Sequence, residues 1–82
     1  MNRQDWNKYK ERNLSEDEKQ VARLIEIAVK RDKENGIKIT KQLIENYVYN
    51  SIYPVKLYNL VNFLFDEYGR EWWILKKNYW NR

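Results

Sequence analysis

Histidine and cysteine are both absent from this 82-residue chain. The usual ligands for zinc and other transition metals are therefore missing, as is the side chain that most often moves protons near neutral pH. Ser15, Thr40 and Ser51 are the aliphatic hydroxyls, and each falls where a helix cap or a turn is expected. Carboxylates bunch at Glu16, Asp17 and Glu18 and again at Asp66 and Glu67, a pattern of solvated helix ends and not of a paired acid and base. Gly36 and Gly69 stand alone, so no glycine-rich loop is present to cradle a phosphate. The expectation is no catalytic residue, no metal site, no cofactor and no enzyme. The chain is expected to act by binding.

Two sets of residues could bind. The first is basic and amide: Lys38, Lys41, Lys56, Asn59, Asn62, Arg70, Lys76 and Lys77, with Ser51 beside them in a turn. Lysine and arginine neutralise phosphates, and asparagine can bond adenine through donor and acceptor together. The net charge of +4 gathers at the two ends of the chain. That suits a polyanion, though modestly. The second set is aromatic: Phe63, Trp72, Trp73, Tyr79 and Trp80. Large aromatic anchors dominate protein interfaces. Phe63 falls among polar helix positions with Val55 near them. Both are expected at the surface, where apolar groups suit a protein interface better than a DNA groove. Trp72 and Trp73 have a second use, as covers for a small core.

Elements must hold these residues. The stretch 54–68 carries Leu57, Leu60, Val61, Leu64, Phe65 and Tyr68 at helical spacing. Pro54 suits its first turn, and Gly69 suits a left-handed residue just past its end. Ser15 with Glu18 forms a capping box that opens a helix over 16–34, closed by Asn35 and Gly36. Val21, Leu24, Ile25 and Ala28 mark its inner face, widened by Ala22 and Val29. Thr40 caps another helix over 41–50, with Leu43, Ile44, Tyr47 and Val48 inward. The expected core is Leu24, Ile25, Ala28, Leu43, Val48, Leu57, Val61, Leu64 and Phe65.

The ends read two ways. Residues 1–14 form a polar arm, or a short helix docked through Trp6 and Tyr9; residues 15–82 form one domain. In the tail, 72–75 suits a strand beside 37–39 or a continuing helix. No apolar run approaches the length of a membrane span. The tail's mixture of Trp, Ile and Leu with Lys and Arg also suits a membrane surface, but it is short, and no membrane partner is expected. The start has no apolar run of the kind a signal peptide carries. Absent cysteine fits a reducing cytoplasm. Abundant Asn, Ile, Lys and Tyr with scarce Ala match A/T-rich coding DNA, as in many phages and plasmids.

Three helices, a short extended piece before the second and a strand after the third resemble the order of winged-helix domains. The residues around the second and third helices are similar to helix-turn-helix proteins: Thr40 opens one helix, Leu43, Ile44 and Val48 pack inward, Ser51 lies in the turn and Val55 comes early in the next. The turn lacks the glycine common in that family, and Asp66 and Glu67 lie on the reading helix. The resemblance implies a mainly α fold with a short β-hairpin (37–39 with 72–75). It also implies a regulatory or accessory DNA-binding protein. There, Lys56, Asn59 and Asn62 would face bases, and Lys38, Lys41, Arg70, Lys76 and Lys77 would meet phosphates. The alternative is a small protein-binding inhibitor or adaptor, as phages encode, working through the aromatic set on a host protein or a second copy. A homodimer is compatible with either.

Overall fold

The computed structural model describes residues 1–69. Its elements are α1 (Arg3–Asn13), α2 (Glu16–Glu34), α3 (Lys41–Tyr49) and α4 (Asn59–Leu64), the last continued by a π-helical turn at Phe65–Gly69. Local chemistry sets most of the boundaries. Asn2 caps α1 by accepting from the Asp5 backbone N–H at 2.8 Å. The capping box of α2 forms in full, with Glu18 N–H donating to Ser15 Oγ at 3.3 Å and Ser15 N–H to Glu18 Oε1 at 2.7 Å. Thr40 Oγ1 caps α3 by accepting from Leu43 N–H at 3.1 Å. The end of α2 is a Schellman motif: Ile37 N–H donates to Asp32 O and Gly36 N–H to Lys33 O. Gly36 takes φ +84°, the conformation that motif needs.

The long helix expected over 54–68 is broken into three parts. Residues 54–58 are turn, with mixed bonding: Leu57 N–H reaches Tyr53 O, whereas Tyr58 N–H reaches Val55 O. Regular α-helix covers only 59–64 before the π turn. The left-handed role expected of Gly69 is not observed, since Gly36 alone among the described residues has positive φ. Gly69 is needed for space: a Cβ there would run into the Phe65 ring and stand 3.1 Å from Ile39 O.

α3 and α4 pack together, α2 lies across both, and α1 lies on α4. Ile25, Val48, Leu57, Val61 and Leu64 are buried as expected. Ala28, Leu43 and Phe65 are half-buried. Leu24 departs from expectation at 60 % exposed. The inner line of α2 is Ala22, Ile25 and Val29, which turns Leu24 and Ile27 outward. Of the two readings of the N-terminus, the docked helix is the one observed, with Trp6 only 1 % exposed. The described residues contain no strand, so the 37–39 half of the expected hairpin is absent; Ile39 instead buries itself in the core. Residues 72–75 lie outside the described residues. No helix among those described is long and apolar enough to cross a membrane.

Candidate functional site

The corner between α3 and α4 is the most apolar exposed surface described. Val55 is 88 % exposed and Ile52 77 %, with Tyr49 and Tyr58 about half exposed beside them. Clustered exposure of this kind is uncommon on a small monomer and marks contact sites. Each residue is held there by the backbone. Asn50 ends α3, its N–H still bonded to Asn46 O. Ser51 then fixes the corner: its hydroxyl donates to Val48 O at 2.6 Å and accepts from Tyr53 N–H at 3.3 Å. Pro54 keeps Tyr53 out of the helical region. The chain must turn outward for residues 52–55 before Leu57 can re-enter the core.

Tyr49 and Tyr58 stack across the corner with ring centroids 6.4 Å apart. With Pro54 and Val55 they line a shallow apolar depression of about 450 Å³. Tyr49 Oη donates to Glu45 Oε2 at 3.4 Å. Partial desolvation, then the neighbouring Tyr58 and Glu45, hold the Tyr49 hydroxyl above the ordinary tyrosine range. Tyr49 therefore stays neutral at physiological pH, and the patch carries no charge at its centre. Glu45 borders it through Tyr49. Lys56, exposed, follows Val55 in the chain, and its backbone carbonyl accepts from Tyr9 Oη of α1 at 3.3 Å.

The basic and amide set is only partly assembled. Lys56 and Asn62 are exposed and Asn59 is half-buried on the outer side of the 56–64 segment. Lys38 and Lys41 are exposed near the start of α3, where Lys41 Nζ lies 5.4 Å from the centroid of the Phe65 ring. Ser51, expected to meet DNA, spends its hydroxyl on the turn. Arg70, Lys76 and Lys77 lie outside the described residues.

The aromatic set is corrected at its one described member. Phe63 is fully buried. It stacks on Trp6 at 5.4 Å with the planes 11° apart, and Arg3 covers it at 5.0 Å. The polar positions around Phe63 misled because α1, distant in sequence, covers that flank of α4. Trp72, Trp73, Tyr79 and Trp80 lie outside the described residues. Of the apolar surface that does exist, Val55 was expected and Tyr49, Ile52 and Tyr58 were missed. Its signal was present: Ile52, Tyr53, Pro54 and Val55 form an apolar run at a helix break, where the chain has least opportunity to bury it.

Among the described residues, no three of His, Cys, Asp or Glu lie close enough together to hold a metal ion. Comparison with protein-family models, with curated proteins and with solved structures finds no match to this chain.

Proposed function

We propose that this chain is a small non-catalytic protein-docking module, of adaptor or inhibitor type, acting in the cytoplasm through the α3–α4 corner. The carrying observation is the uncharged patch of Tyr49, Ile52, Val55 and Tyr58 at that corner. Desolvating such a patch against a protein is favourable, at about 25 cal/mol per Å². Against the phosphates of a duplex it gains little, because DNA binding relies on cations and groove-edge hydrogen bonds.

The same place favours this reading over duplex reading. In a helix-turn-helix protein the start of the second helix enters the major groove. Here that start presents Val55 and Tyr58, and the Lys56 carbonyl is bonded to Tyr9 of α1. Exposed Lys56 and Asn62 are what the DNA alternative draws on. Affinity capture with nuclease-treated extract, using wild type and Val55→Glu as baits, tests the proposal. A stoichiometric protein partner, foreign or self, that wild type retains and Val55→Glu loses is expected. Salt-sensitive duplex binding that Lys56→Ala weakens and Val55→Glu leaves intact would overturn it.

A further inference from the structure

A second surface lies away from the corner, between α1 and α2. The two helices are joined through Leu14 and Ser15, and α1 packs on α4. Between α1 and α2 runs a groove of about 780 Å³, and none of the residues that line the corner depression lines it. Buried Trp6 and Ala22 form its floor. Leu24 and Ile27 stand on its α2 wall, 60 % and 52 % exposed. We infer that this groove takes an acidic amphipathic helix of a partner protein.

Charge names the occupant. Most of the ionisable side chains that line the groove are matched within the chain. Lys19 Nζ lies 3.4 Å from Glu16 Oε1 and 3.6 Å from Glu11 Oε1. Glu26 accepts from Arg3 at 2.6 Å and from Tyr68 at 3.3 Å. Lys10 and Arg23 also line the groove, and neither forms an ion pair among the described residues. Arg23 is exposed and Lys10 half-buried, where a cation partly withdrawn from water gains from a carboxylate. The groove therefore offers unmatched positive charge beside exposed apolar side chains. A segment that carries carboxylates beside apolar residues complements both. A nucleic acid would match Lys10 and Arg23 but set Leu24 and Ile27 against phosphate and sugar. The chain's own residues 70–82 hold Arg70, Lys76, Lys77 and Arg82 against Glu71, so their charge is a poor match. A second copy, at +4, is a poor match for the same reason. Both walls are helices, whose backbone bonds are internal, so no strand edge is offered and a helix lying in the groove is the fitting form. Glu16 to Ile27 spans about 16 Å along α2, or about three turns of a partner helix.

Fluorescence anisotropy on the full chain is the test. The probe is a labelled synthetic helical peptide of about 14 residues, with leucines at helical spacing flanked by glutamates. A twin peptide carries lysine in place of each glutamate. The glutamate peptide binds at least about tenfold more tightly than the twin, and its binding weakens as salt is added. Arg23→Glu and Leu24→Glu, both at exposed positions and checked for fold by circular dichroism, each weaken it about tenfold. Arg23→Lys keeps the charge and weakens it no more than about threefold. Val55→Glu, at the corner, leaves it unchanged, so this surface stands or falls independently of the corner. Equal binding of the two peptides, failure of the glutamate peptide to saturate, or indifference to Arg23→Glu and Leu24→Glu overturns the inference. Loss on Val55→Glu moves the contact to the corner and overturns it as well. Duplex DNA that displaces the glutamate peptide, and depends on Arg23 but not on Leu24, overturns it in favour of a nucleic acid.

Discussion

The seam between α1 and the body and the corner between α3 and α4 use similar residues to opposite ends. In the seam, Trp6 and Phe63 stack face to face and both vanish from the surface. Arg3 closes the seam, donating to Glu26 Oε2 at 2.6 Å and Glu67 Oε1 at 3.1 Å while covering the Phe63 ring. Tyr68 Oη donates to the same Glu26 oxygen at 3.3 Å. At the corner, Tyr49 and Tyr58 also stack, yet both rings face solvent and no cation sits over either among the described residues. The difference is the third layer. A stacked pair becomes core when another helix covers it; without that cover it is surface available to another molecule. Aromatic content therefore says little about an interface until its cover is known.

The largest test of this contrast is Trp6→Ala against Tyr58→Ala. Loss of a buried tryptophan should destabilise by about 3–5 kcal/mol, much of the total for a domain this small. Loss of Tyr58 should stay within about 0.5 kcal/mol, as surface changes do. Thermal or urea unfolding measures both, and near-equal values would end the distinction.

A smaller effect is expected at Arg3. Its guanidinium is held above the ordinary arginine value first by the hydrogen bond to Glu26, and its side chain is 47 % exposed. Arg3→Gln should cost about 0.2–1 kcal/mol at low salt and less as salt is added. A salt-independent loss would mean that Arg3 acts through its packing on Phe63.

The smallest effect is a pH dependence. Burial, then Glu26, raises the Tyr68 hydroxyl above the ordinary tyrosine range. A group raised on folding adds stability that is fully present below its unfolded value and is lost as pH rises through the folded one. The seam should therefore weaken above about pH 10. Tyr68→Phe should flatten that alkaline decline while giving up the hydrogen bond at neutral pH. Unfolding midpoints between pH 8 and pH 11, within the range tyrosine ionisation covers, check this. A decline of unchanged steepness in Tyr68→Phe would assign it elsewhere.

Chain order and short-range chemistry account for what was legible. Ser15 with Glu18, Thr40 with Leu43, and Asn35 with Gly36 act within a few residues of themselves, so the limits of α2 and α3 could be read almost to the residue. The inward positions Leu57, Val61 and Leu64 were equally plain, because their spacing repeats along one segment. Three things needed the tertiary structure. Phe63 went from expected surface to core because α1 docks over it where periodicity cannot show it, and Leu24 from expected core to surface because the buried line of α2 runs through Ala22, Ile25 and Val29. The 54–68 segment lost its regularity because Leu57 and Leu60 must both reach the core across a turn that begins at Pro54, and because Phe65 needs the space that Gly69 leaves. The apolar corner stayed exposed for the reciprocal reason: no helix is left over among the described residues to cover it. Local bonds are written in the order of residues, whereas burial is a property of which surfaces meet, and only the folded arrangement decides that.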